Sequence, residues 1–174
     1  MSDQDSADKT IRETAFRNMV QIGVVVRDLD RTVQFLSEIL GLGPFRYITY
    51  PPDREDMATT YRGEPGAYSH RIAFTELGPI ELEIVQPLTG ESALTEFLEE
   101  HGEGIQHIRF NVDDLQPVLD YVETHGITVL MSGTGLRPGT TWVHLDTADK
   151  TGFVIELMNV LPGTSGRTPQ QLEP

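Results

Sequence analysis

Residues 21–42, QIGVVVRDLDRTVQFLSEILGL, return from residue 107 as HIRFNVDDLQPVLDYVETHGI. An isoleucine, a valine, an aspartate and a leucine recur at the same offsets, and both copies end at a glycine, Gly41 and Gly126. A chain of 174 residues that states one unit twice is expected to fold as two half-modules sharing a single body. Each half also closes with a carboxylate set inside an apolar strand, Glu83 in IELEIVQ and Glu156 in FVIELM. Two copies of one unit, each with two polar residues where hydrophobes are expected, predict a composite site built by pairing the halves.

The body is assigned to residues 18–160, with module one at 18–88, a connector helix within 89–103 and module two at 104–160. Residues 1–17 and 161–174 are polar, lack a sustained period and are read as mobile or peripherally docked tails. In module one, Val20 to Val26 alternates and is β-branched, which predicts a strand. Asp28 or Asp30 then offers an N-cap, and Val33, Leu36 and Leu40 supply the apolar stripe of a helix that Gly41 ends. Strands are expected at 46–50, 69–76 and 80–86. Module two repeats the order with a strand at 108–112, a helix from Leu115 to Gly126, and strands at 128–131, 141–146 and 153–158. The unit is β-α-β-β-β. Two polar excursions, 51–66 and 132–140, exceed ordinary hairpins and are either lids or disordered.

Composition narrows the function classes. A formal charge of −14, from 13 Lys+Arg against 27 Asp+Glu, lacks the basic footprint that nucleic acid or an anionic membrane surface requires. No apolar run approaches membrane-spanning length, and the acidic, polar N-terminus is unlike a signal peptide, so the expected location is cytoplasmic. The absence of cysteine excludes disulfides, thiolate metal sites and cysteine nucleophiles.

Strand side chains alternate between faces, so parity sorts them. The apolar faces Val20/Ile22/Val24/Val26, Ile80/Leu82/Ile84, Ile108/Phe110/Val112 and Phe153/Ile155/Leu157 suit packing against helices. The opposite faces collect Gln21, Glu83, His107 and Glu156. Two carboxylates enclosed by a curved sheet would cost several kcal/mol and repel each other, and a divalent cation resolves both problems. This oxygen-rich set with one nitrogen suits a Zn, Co, Ni, Mn or Mg ion with open positions. The alternative is that Glu83 and Glu156 lie at a wet sheet surface, paired with Arg109 or Arg71.

At these residues the chain resembles the vicinal oxygen chelate superfamily, which contains glyoxalase I, methylmalonyl-CoA epimerase, extradiol dioxygenases and bleomycin-resistance proteins. The stretch PLTGESALTEFLEEHGEGIQHIRFNVDDL is especially similar to the epimerase branch. The resemblance implies an α+β fold of two paired βαβββ modules whose curved mixed sheets enclose a metal cavity. It also implies metal ligation by Gln21, Glu83, His107 and Glu156. Epimerases typically carry histidine where Gln21 stands, whereas the Gln/Glu/His/Glu set resembles zinc-type glyoxalase I.

The implied activity is that of a metal-dependent isomerase or epimerase, which removes a proton next to a carbonyl through a metal-stabilised enediolate. The substrate class is a small carbonyl compound or acyl thioester. Glu156 is the first choice as base and Glu83 the second. His70, which shares the site face with Ile72 and Phe74 if residues 78–79 form a tight turn, is a candidate second acid/base or a structural histidine. Arg109 and Arg137 are candidate substrate-binding residues, and Arg109 equally suits balancing Glu81 and Glu83. The alternatives are a glyoxalase I-type lactoylglutathione lyase and a non-catalytic binding or resistance protein. A ring-cleaving dioxygenase is disfavoured without the first histidine. A homodimer is the expected assembly.

Overall fold

The computed structural model describes residues 3–161. Helix α1 (Asp3–Thr14) leads into module one, which comprises β1 (Met19–Val25), α2 (Leu29–Glu38), β2 (Arg46–Tyr50), β3 (Thr59–Tyr61), β4 (Glu64–Pro65), β5 (Ser69–Leu77) and β6 (Ile80–Thr89). Helix α3 (Ala93–Glu100) connects it to module two: β7 (Gly104–Val112), α4 (Leu115–Thr124), β8 (Val129–Thr134), β9 (Thr141–Leu145), α5 (Ala148–Thr151) and β10 (Val154–Asn159). The repeat is visible in the caps. Asp28 accepts from the Arg31 amide at the start of α2, and Asp114 accepts from the Gln116 amide at the start of α4.

All ten strands join one curled mixed sheet in the order β2-β5-β6-β1-β7-β10-β9-β8-β3-β4. The modules meet where β1 runs antiparallel to β7, with Ile22 opposite Ile108, and within each module the first and last strands are parallel. Both modules therefore pair within a single chain. The outer face is apolar, as parity requires. Val26, Leu29, Val33, Ala73 and Ile84 pack under α2, and Val112, Val118, Val122, Val143, Leu145 and Leu157 pack under α4. Burial of each of these valine, leucine and isoleucine side chains contributes roughly 1.5–3 kcal/mol. The inner face forms a cup, lined in part by Ile72, Phe74, Leu94 and Met131 and backed by Val25, Val85 and Val154.

The structure corrects several expectations. The N-terminal tail docks peripherally, one of its two expected states, but as a helix over Asp3–Thr14 followed by Ala15 and Phe16, which with Ile11 pack on the α4 side; Phe16 meets Phe110 edge-on at 5.8 Å. Its apolar residues are too few to advertise a period, and tertiary packing supplies what propensity does not. The C-terminal tail lies, apart from Leu161, outside the described residues. The 51–66 excursion is neither disordered nor a free lid: β3 pairs with β8 of the other module, and β4 extends the edge. That partner also lengthens β8 to Thr134, beyond the expected end at residue 131. No helix among the described residues is long and apolar enough to cross a membrane.

Candidate active site

The cup opens into a cavity with about 940 Å³ of empty space, its mouth included, lined by groups from both modules. Of the polar residues that parity puts on the inner face, Glu83, His107, Arg109, Asn111 and Glu156 line it, whereas Gln21 and Glu81 do not. The tight turn at Gly78 sets Phe74 opposite Glu83 as expected, so His70, Ile72 and Phe74 also face inward.

His107 is the centre of the polar cluster. Its Nε2 lies 3.2 Å from Glu83 Oε2 and 3.2 Å from Glu156 Oε2, and its side chain is 2% exposed. Two features fix the ring. Gly23 stands opposite His107 on β1, and a Cβ there would lie 1.9–2.4 Å from three ring atoms, so the imidazole occupies the space of the missing side chain. The register between β1 and β7 also shifts at Gly23/Val24, where two residues of β7 stand against one of β1. This bulge leaves Gln106 unpaired beside His107, and Gln106 Oε1 lies 2.7 Å from His107 Nδ1. With Nδ1–H donated to that amide oxygen, Nε2 faces the two carboxylates. A lone pair facing two carboxylate oxygens is repulsive unless a proton or a cation lies between them.

The titration behaviour shows the same balance. Burial opposes charging His107, yet its hydrogen bonds to Glu156 and Glu83 outweigh burial and carry its pKa up to about 9. Burial alone would raise the Glu156 carboxyl, but the hydrogen bond from His107 and the charge of Arg109 hold it well below the usual carboxylate range.

His144, on β9 directly opposite Glu156, joins this cluster: its Nε2 is 3.8 Å from Glu156 Oε2. Burial, followed by the nearby charge of His107, depresses its pKa to about 3, which keeps it neutral and available as a ligand. Donor atoms of His107, His144 and Glu156 lie within 4.8 Å of one another, and all three residues are buried. With Glu83 against His107, the convergent set is two imidazoles and two carboxylates, a fit for a divalent transition ion.

Gln21 is not brought into this cluster. Its Nε2 donates to Glu81 Oε1 at 2.6 Å, and Gln21 is not among the cavity-lining residues. It sits opposite Arg109 rather than His107, and the neighbouring Glu81 captures its amide, while its buried Oε1 has no hydrogen-bond partner among the described residues. Arg109 Nη2 lies 3.6 Å from the same Glu81 oxygen. Arg71, the other cation considered for Glu83 and Glu156, instead pairs with Asp30 at 2.6 Å.

His70 lines the cavity but stacks on Tyr68 with ring centroids 5.0 Å apart, and among the described residues neither ring nitrogen has a side-chain hydrogen-bond partner. Burial pushes its pKa down to about 4. Arg137 lines the cavity from the 135–140 loop. His101 and His125 cap the C-terminal ends of α3 and α4, as expected of histidines at helix ends. The sequence leaves the facing of His144 open and does not single out Gln106 or Arg46. Trp142 and His144 share parity on β9, but only the β9–β10 register shows which way that face turns. Arg46 shares parity with Ile48 and Tyr50, all of which line the cavity.

Residues 20–141 match the family described as the Glyoxalase/Bleomycin resistance protein/Dioxygenase superfamily. A probable lactoylglutathione lyase of Vibrio parahaemolyticus is 26% identical over 141 residues, covering 81% of this chain and 89% of its own. One from Vibrio cholerae is 25% identical over 133 residues, covering 76% and 83%. Among solved structures, a variant of Streptomyces coelicolor methylmalonyl-CoA epimerase in complex with 2-nitronate-propionyl-CoA superposes with a TM-score of 0.61 at 24% identity, covering 87% of this chain and 98% of its own. The Mycobacterium tuberculosis methylmalonyl-CoA epimerase gives 0.61 at 19%, with 86% and 92% covered. At these identities the structural likeness establishes the fold.

Proposed function

Because the chain belongs to the glyoxalase/bleomycin resistance protein/dioxygenase superfamily, we propose that its cavity is the active site of a metal-dependent isomerase or epimerase that removes a proton from carbon next to a carbonyl. The observation that carries this reading is His107 Nε2 held 3.2 Å from each of two buried carboxylate oxygens, in an orientation fixed by Gln106 and Gly23. Glu83, His107, His144 and Glu156 would hold the ion, with Gln21 the remaining candidate through its unpartnered Oε1. When bound, a divalent ion supplies Lewis acidity to the carbonyl oxygen and so acidifies the neighbouring C–H.

The chain's own residues do the rest. Glu156, buried yet kept ionised beside Arg109, takes the proton from carbon and returns it to the same or the neighbouring carbon. Glu83 is the second candidate for that role. His70 is neutral at physiological pH and faces the same cavity from β5, placing a further proton carrier on another wall. Arg109 and Arg137 bind and orient the substrate, and the apolar lining excludes water from it.

The test is metal content by mass spectrometry, read with deuterium incorporation from D2O at the acidic carbon of candidate carbonyl substrates. Near-stoichiometric divalent metal lost in the Glu83→Gln, Glu156→Gln double variant supports the reading. Failure to load Mn, Co, Ni or Zn would overturn it in favour of a binding or resistance protein. The two Vibrio relatives favour a second reading, a lactoylglutathione lyase; it requires turnover of methylglyoxal that depends on added thiol.

A further inference from the structure

Three of the thirteen cationic residues, Arg46, Arg109 and Arg137, line the cavity. Arg109 is matched by Glu81. Arg46 is offset through space by Glu81 and Glu83, but its guanidinium sits 4.6 Å over the Phe74 ring, and its buried Nε and Nη2 have no hydrogen-bond partner among the described residues. Arg137 Nε is also buried without one among the described residues. Buried guanidinium N–H groups without acceptors are costly to maintain, and an anion is the natural partner of their planar fork. Once Glu83 is engaged by a divalent ion, the charge left to offset Arg46 is that of Glu81, which already accepts from Gln21 and pairs with Arg109.

Placement fixes the scale of the anion. Phe74 separates Arg46 from Glu83 in adjacent strand positions, so their backbones stand roughly 10 Å apart across the sheet. Both side chains reach inward, which leaves a span of a few carbon atoms between Arg46 and the His107 cluster. The cationic groups are inside the cavity, where a compact acid carries its charge. Outside, Arg31, Arg54, Arg62 and Arg71 each already face a carboxylate, and the chain as a whole carries −14. A phosphorylated carrier such as CoA would set its phosphates against that surface.

Building on the active-site reading above, we propose that Arg46, with Arg137 lining the same cavity, forms an anion subsite that selects a small free carboxylic acid over a CoA thioester. Arg46 grips the carboxylate and Phe74 holds the guanidinium flat, while the acidic carbon of the same molecule lies toward Glu156.

Isothermal titration of the full chain with malonate, neutral dimethyl malonate and malonyl-CoA tests this, for the wild type, Arg46→Met and Arg46→Lys, metal-loaded and again after chelation. Malonate is expected to bind at least tenfold more tightly than dimethyl malonate and no more weakly than malonyl-CoA. Arg46→Met should lose tenfold or more, Arg46→Lys should recover part, and both should keep wild-type metal content. Malonyl-CoA binding more than tenfold tighter than malonate, no malonate binding to the wild type, or a folded Arg46→Met that binds malonate like the wild type would overturn the proposal. Should Arg46→Met fail to fold, Arg46→Lys and the dimethyl malonate comparison decide the same question. A wild type that takes up no metal defeats the proton-transfer reading, while malonate binding to the chelated protein still judges Arg46.

Discussion

At the scale of single residues, the candidate site depends on a side chain that is missing. Gly23 makes room for the His107 imidazole, so Gly23→Ala is expected to swing the ring away from Glu83 and Glu156. Urea unfolding should show a loss of about 1–3 kcal/mol, and metal loading should fall well below one ion per chain; wild-type values for both would show that the ring does not depend on this space. His70 gives a pH-dependent counterpart. Its pKa is depressed from 6.5 to about 4 in the folded state, so its contribution is fully present above pH 6.5 and is lost as pH falls through 4, where the unfolded chain binds the proton and the folded one resists it. Between pH 6.5 and 4 the wild type should lose about 3 kcal/mol more stability than His70→Leu; parallel pH profiles would rule this out. The inward-facing Glu83, His107, Arg109 and Glu156 were legible in the sequence because a strand's period of two is rigid. Gln106 was not, since a bulge breaks that period locally. His144 was not either, because the β9–β10 register depends on a connection through α5 rather than on a tight turn.

Among the elements, those with local signals were legible and those made by distant partners were not. The N-caps at Asp28 and Asp114 and the glycine ends of α2 and α4 act within a few residues of themselves. By contrast, β3 is three residues long and exists by pairing with β8, some seventy residues away. Thr60 Oγ1 and Ser132 Oγ, 2.7 Å apart, join the two strands, and the Thr134 amide donates to Ala58 O at 2.9 Å. Arg54 fastens the excursion to the cavity rim, donating from Nη1 to Leu136 O at 2.7 Å and from Nη2 to Gly135 O at 3.1 Å, while also pairing with Asp56. The two excursions thus brace each other at the edge of the cavity. Arg54→Met removes the brace without touching the central strands. Hydrogen exchange should accelerate at residues 134–141 and stay at wild-type rates in β1 and β7; unchanged exchange at 134–141 would show that strand pairing alone holds the rim.

Over the whole molecule, the duplication shared one body between two units that have no cavity separately. Glu83 belongs to one module, His107 and Glu156 to the other, and the strand pair that joins them passes through Gly23 and His107 themselves. The seam is reinforced at the other side of the cup, where Trp142 Nε1 of module two donates to Tyr50 Oη of module one at 3.1 Å and Tyr50 in turn donates to Thr134 O at 2.9 Å. Burial, which outweighs the Trp142 hydrogen bond, raises the Tyr50 pKa to about 12, so the hydroxyl stays protonated and able to donate. With continuous sheet across one seam and part-buried hydrogen bonds across the other, neither module can open without exposing the core of its partner. Unfolding should therefore be a single step. The fluorescence of Trp142, the only tryptophan, reports the second seam, and far-ultraviolet circular dichroism reports both modules. In urea the two signals should give coincident midpoints, with or without metal. A fluorescence transition that precedes the loss of circular dichroism would mean that the modules part before they unfold, and that the site is assembled by docking rather than by folding.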